Sequence, residues 1–172
     1  MTAQPADLAL QDVWPNGTCY GCGPANPYGL RIKSHWDADG QTVVARFQPD
    51  IRYNAGFPNV VYGGLIASLI DCHSIWTAIA HTYRAEGREY GSLPAISYVT
   101  GTLTVRYLAP TPLDSELVLR AHVTAHEGRR VTVACALHAG ERVTAEGTVQ
   151  AVRIAADKSA GVAEARETPA AG

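Results

Sequence analysis

Charge is scarce in this chain: Asp, Glu, Lys and Arg make up 17% of its 172 residues, where about 25% is usual for a soluble domain. The shortfall implies that part of the surface is covered, most simply by a second copy of the chain. Neither sign is in excess. Fourteen Lys and Arg face sixteen Asp and Glu, a net charge of -2, which argues against nucleic-acid binding through phosphates and against attachment to anionic lipid. The opening residues lack the positive stretch and apolar run of a secretory leader. Only one segment, 63–80, approaches the length of a membrane span, and it carries Asp71 and His73 at its centre, where a bilayer makes charge expensive. The expectation is a helix buried in protein. Four cysteines without an export signal point to free thiols in a reducing cytoplasm. There is no internal repeat.

The length favours one domain with a core of its own. Residues 155–172 are Ala-rich with scattered charge and no apolar stripe, and residues 1–12 read similarly; both ends are expected to be flexible, with 13–154 as the folded unit. Within that unit, strand signals bracket a single strong helix. Segments 29–36 and 42–47 flank an Asp-Ala-Asp-Gly turn and read as a hairpin. A polar loop at 84–92 follows the helix, and a β-like run then covers 95–108. In that run Val99, Leu103, Val105 and Tyr107 share one face at period two, interrupted by Gly101, and Thr100, Thr102 and Thr104 share the other. Three more alternating runs follow: Leu117 to Val123, Val131 to Leu137 and Val143 to Ala151. Their connections are short, as in antiparallel meanders. The order β-β-α-β-β-β-β, with one long apolar helix that only the sheet can cover, is an α+β domain whose sheet wraps around a central helix.

The helix has two kinds of face. Leu65, Ile66, Leu69, Ile70 and Trp76 suit the sheet. Asp71 lies on a stripe of small residues, Gly64, Ala67, Ser74 and Ala78, where another backbone or a ligand can approach closely. Gly63-Gly64 opens the helix, where unpaired N–H groups and the positive dipole end can hold an oxyanion. Together these residues offer a carboxylate base or nucleophile and an oxyanion donor. Gly64 and Asp71 are seven residues apart, roughly 10 Å along the axis at ~1.5 Å per residue, so one carbonyl cannot readily touch both. If both act on one ester, one of them comes from a second subunit related by a two-fold axis.

The run from Tyr62 to Asp71 resembles the H-G-G-x-x-x-x-x-x-D core of hotdog-fold acyl-CoA thioesterases of the PaaI-like kind. Cys19-Tyr20-Gly21-Cys22-Gly23-Pro24-Ala25-Asn26-Pro27-Tyr28-Gly29-Leu30 is similar to the C-x-G-C-G-x-x-N-P-x-G-L leader of that group's long members, and Tyr107-Leu108-Ala109-Pro110 to its Y-L-x-P. The resemblance implies a hotdog fold, a homodimer made by joining two sheets edge to edge, often a dimer of dimers, and hydrolysis of an acyl-CoA or acyl-carrier thioester without a cofactor. It implies Asp71 as base or nucleophile and the Gly64 N–H, with Gly63, as carbonyl polariser from the partner subunit. Tyr62 stands where the family has His, and the family's upstream Asn falls on Asn54 or Asn59. Two rivals follow from the Tyr62 departure and the fold: a non-catalytic acyl-thioester binder and an enoyl-CoA hydratase or dehydratase.

Around this core, Asn59, Ser74, Thr100 and Thr102 are candidate substrate contacts, Ser74 because it shares the Asp71 stripe and the threonines because their row can line a partner's pocket. His73, two residues from Asp71, reads as a structural histidine, and Cys72 as core. Arg106, Arg129 and Arg130 are candidates for the phosphates of coenzyme A. Cys19-x-x-Cys22 is half of a zinc site, but no second Cys-x-x-Cys or His-x-x-x-His follows to complete it. The expectation is therefore no metal, and a turn-rich leader that covers the pocket.

Overall fold

A computed structural model describes residues 8–155. Its elements run β1 (Ser34–Trp36), β2 (Val43–Phe47), α1 (Gly63–Ala85), β3 (Tyr98–Tyr107), β4 (Leu117–Glu127), β5 (Arg130–Ala139) and β6 (Arg142–Arg153). All strand pairs are antiparallel, in one six-stranded sheet of order β1-β2-β4-β5-β6-β3. The helix lies along the concave face of this sheet, which is the hotdog arrangement. By length and composition α1 could cross a membrane, but most of its apolar window is buried against the protein.

The predicted alternation holds in the centre of the sheet. Leu117, Leu119 and Ala121 of β4, Val131, Val133, Cys135 and Leu137 of β5, and Ala145, Val149 and Ala151 of β6 are all buried. They meet Leu65, Ile66, Leu69, Ile70 and Trp76 of the helix, all buried as well. One close approach is at Gly147, where a Cβ would stand 2.4 Å from Ile70 Cγ2. Only glycine lets the helix sit that low on β6.

His73 fixes the rotation of α1 over the sheet. Its side chain is 0% exposed; Nε2 lies 3.1 Å from the Val43 carbonyl and Nδ1 2.9 Å from Ser34 Oγ. A carbonyl only accepts, so Nε2 carries the proton and Nδ1 accepts from the serine. Ser34 Oγ in turn accepts from Gln11 Nε2 at 2.9 Å, and Gln11 Oε1 accepts the Ser34 N–H. One chain of hydrogen bonds thus ties the N-terminal segment, β1, β2 and the helix. Burial pushes His73 down to about 4, and its role is structural.

Several boundaries differ from expectation. The N-terminal 12 residues are not all loose: Leu10–Val13 form a 3-10 turn, with Leu10 and Gln11 buried beneath it. Residues 1–7 and the segment 156–172 lie outside the described residues. The first strand is short because Arg31 takes φ 52, which breaks extended chain. The residues around it bond the leader instead, Leu30 N–H to the Tyr20 carbonyl and Ile32 N–H to that of Gly21. The helix runs on to Ala85, five residues past its expected end. Tertiary partners hold that extension: Thr82 Oγ1 meets the Tyr98 hydroxyl at 2.9 Å, and the Tyr83 hydroxyl donates to the Ser92 carbonyl at 3.0 Å.

Candidate functional site

The strand β3 forms a free edge of the sheet, and Gly101 gives it a β-bulge between Thr100 and Thr102. Thr100 is paired with buried Ala151, and Leu103 with buried Val149, whereas Thr102 faces Gln150. The bulge therefore changes the phase of the strand. Thr100 points inward toward the helix. Thr102 and Thr104 point outward, so the three threonines do not form one row, and Val99, 47% exposed, does not share a face with Leu103. A Cβ at residue 101 would stand 2.9 Å from Val152 Cγ2, which is why the bulge takes glycine.

The inward turn delivers Thr100 to Asp71: its Oγ1 donates to Asp71 Oδ1 at 2.5 Å. Asp71 is half-buried, and its carboxyl lies above the usual range. Burial is the main cause, with the Thr100 hydrogen bond pulling down and the Cys19 thiol pushing up. A cleft of about 320 Å³ opens over it, walled by apolar Trp76, Ile79 and Val99. Two buried polar atoms without a partner among the described residues, Trp14 Nε1 and Ser97 Oγ, belong to residues lining this cleft. Sequence reasoning found neither; both lie far from Asp71 along the chain.

A second, more open cleft of about 570 Å³ lies over the helix N-terminus, lined by Gly63, Gly64, Tyr107, Leu108 and Pro110 among others. The Gly63 and Gly64 N–H groups, the first two of the helix, have no acceptor among the described residues, and Tyr62 caps the helix without a side-chain hydrogen bond. The Tyr107 hydroxyl donates to the Gly63 carbonyl at 2.8 Å, which fixes the start of the helix to the end of β3. The Tyr62 ring lies over Gly64, where a Cβ would stand 2.3 Å from it. That ring is 59% exposed.

Two expected contacts, Asn59 and Ser74, are not among the residues lining the two clefts. Asn59, at φ 55, accepts the N–H groups of Leu113 and Asp114 on its Oδ1 at 3.1 and 3.2 Å. It shapes the loop before the helix and is not among the residues lining either cleft. Asn54 is also a loop residue, its Oδ1 accepting the Gly56 N–H. Ser74 is fully buried, has no nitrogen or oxygen partner, and lies against the Cys135 thiol of the sheet. Three residues past Asp71 the helix surface has already turned from the cleft to the core. Ala78, further along the same small-residue stripe, is fully buried too.

Comparison with known proteins agrees with this architecture. A sequence profile described as "Thioesterase superfamily" matches residues 58–146. A thioesterase superfamily protein from Shewanella loihica is 37% identical, with 76% of this chain and 97% of that one covered at a TM-score of 0.59. The PaaI protein of Escherichia coli, from its phenylacetic acid degradation operon, shares the fold at 16% identity, TM-score 0.59, covering 73% of this chain and 81% of its own. A Streptococcus mutans protein solved bound to acetyl-CoA matches at 16% identity and TM-score 0.53, covering 66% and 82%. No protein in the curated set matches. On the profile match and the Shewanella relative, this hotdog chain, similar in fold to PaaI, belongs to the thioesterase superfamily.

Proposed function

We propose that the protein hydrolyses an acyl-CoA or related acyl thioester at a site shared by two subunits. The observation that carries this reading is the placement of the two clefts at opposite ends of the free strand β3. The Asp71 cleft is lined by Tyr98, Val99 and Thr100 at the strand's start, and the Gly63-Gly64 cleft by Tyr107 at its end. Antiparallel pairing of two β3 edges about a two-fold axis sets the start of one strand beside the end of the other. Each Asp71 cleft then adjoins the partner's helix N-terminus. The exposed Val99 and Tyr107 and the scarcity of charge fit a covered edge.

In this site the thioester carbonyl lies against the Gly64 N–H, with that of Gly63 beside it. Asp71 from the other subunit either takes a proton from a water that attacks the acyl carbon, expelling the thiolate and leaving the free acid, or attacks that carbon itself. The direct attack expels the thiolate and forms a mixed anhydride, which a water then hydrolyses to the free acid and the restored Asp71 carboxylate. A single oxyanion donor is worth about 3–4 kcal/mol of barrier. Trp14 Nε1 and Ser97 Oγ supply polar contacts to the acyl or pantetheine portion. Acetyl-CoA on the Streptococcus relative and four free cysteines in this chain support a CoA thioester and a reducing cytoplasm as the setting.

The test is subunit complementation. Asp71→Asn and Gly64→Ala chains, each inactive alone, are mixed, unfolded and refolded together. Random pairing makes half the dimers mixed, each with one intact site, so activity returns to about a quarter of wild type. A site contained within one chain predicts no return, and that result would overturn the shared-site reading.

A further inference from the structure

The leader contains one thiol pair, and the fold supplies a third thiol that spacing along the chain cannot reveal. Cys19 and Cys22 sit on the turn before β1, and Cys72 comes from the middle of the helix, 53 positions after Cys19. The Cys19 and Cys72 sulfurs are 3.7 Å apart, and all three sulfurs lie within 4.8 Å of one another. An ion held tetrahedrally at ~2.3 Å from each sulfur spaces its ligands roughly 3.8 Å apart. The trio already stands near that spacing.

The surroundings are built to keep it there. The Gly23 N–H closes the turn onto the Cys19 carbonyl at 2.8 Å, and the Ala25 N–H bonds that of Gly17 at 3.0 Å. Gly21 lets the leader press on the helix: a Cβ there would stand 2.3 Å from Cys72 Sγ. All three cysteines line the Asp71 cleft, and no Lys, Arg or His lines it among the described residues. Three thiols and the Asp71 carboxyl group meet with no cationic side chain among the described lining residues, a donor set open to a bound cation. The backbone N–H groups of Gly21 and Cys22 face the Cys19 sulfur. Outer N–H donors of this kind orient coordinating thiolates.

We propose that Cys19, Cys22 and Cys72 bind one thiophilic metal ion, Zn²⁺ foremost, which clamps the leader to the central helix and keeps its fourth position on the Asp71 cleft. Three protein ligands with one place left open is the pattern of zinc sites accessible to solvent or substrate. The inference is independent of thioester hydrolysis.

The full chain, reduced with a phosphine and stripped with chelator, is titrated with Co²⁺ under nitrogen and then with Zn²⁺ against a chromophoric chelator. The expected result is one ion per chain, with thiolate-to-cobalt charge-transfer absorption and intense tetrahedral d–d bands that Zn²⁺ abolishes. Cys19→Ser, Cys22→Ser and Cys72→Ser each weaken Zn²⁺ binding by at least ~100-fold, more than loss of an outer hydrogen-bond partner, and Cys135→Ser leaves it unchanged. Should a variant fail to fold, alkylation of the wild type decides: Zn²⁺ shields Cys19, Cys22 and Cys72. Substoichiometric binding, a cobalt spectrum without charge transfer, affinity indifferent to Cys72, or a disulfide within the trio in place of the metal site would each overturn the proposal.

Discussion

Replacing His73 probes the clamp that sets the angle at which Asp71 meets Thr100. In the folded chain the ring is sealed, donates to Val43 and accepts from Ser34, and burial holds it at about 4 against an ordinary 6.5. The folded state therefore resists the proton that the unfolded chain accepts. Stability from neutral His73 is fully present above pH 6.5 and is lost as pH falls toward 4. At about 1.4 kcal/mol per pKa unit, the whole loss is about 3 kcal/mol, a large share of the ~5–15 kcal/mol that holds a domain together. His73→Gln keeps one donor for the Val43 carbonyl and cannot titrate. Urea unfolding of both proteins from pH 7.5 to 4 measures the effect. The variant begins about 1–3 kcal/mol less stable, from the disturbed hydrogen bonds, and the wild type then falls relative to it by about 3 kcal/mol across the range. Parallel curves would refute the reasoning, because they would mean that His73 takes its proton as easily folded as unfolded.

Thr100→Val removes the hydroxyl that donates to Asp71 and so raises the carboxyl further. The acid limb of the kcat/KM profile moves to higher pH by about one to two units, for a hydrogen bond to charge of about 1.5–3 kcal/mol, with little change on the plateau. Gly64→Ala pushes against the exposed Tyr62 ring and obstructs the oxyanion position; thiol release falls on the order of 10²-fold while the melting temperature barely moves. Because burial raises Asp71, its carboxylate weakens the fold at neutral pH. Asp71→Asn, still an acceptor for Thr100, therefore melts higher than wild type at pH 7 by calorimetry, and the advantage shrinks as pH is lowered toward 3.8.

The order of elements, the start of the helix and its sheet-facing residues were legible in the sequence because period-two and helical patterns report directly on burial. The same pattern misplaced Thr102 and Val99, since one extra residue at Gly101 inverts the phase and alternation alone does not announce a bulge. It also assigned Ser74 to the Asp71 face, although the sheet curves around the helix and takes the next turn into the core. Asn59 looked available for a ligand, but its left-handed backbone and two accepted N–H bonds bind it to a loop 54 residues on. Cys72 read as core because its thiol partners lie in a leader that only the folded chain brings back to the helix. The unpartnered Trp14 Nε1 and Ser97 Oγ were hidden for the same reason.

Free-thiol release from short, long and aromatic acyl-CoAs, by wild type and Asp71→Asn side by side, tests the central claim most directly. The account predicts turnover by the wild type and a loss of ~10²–10⁴-fold in the variant, with fold and self-association unchanged. Undiminished release by Asp71→Asn would contradict it, as would a wild type that binds acyl-CoA saturably and frees no thiol.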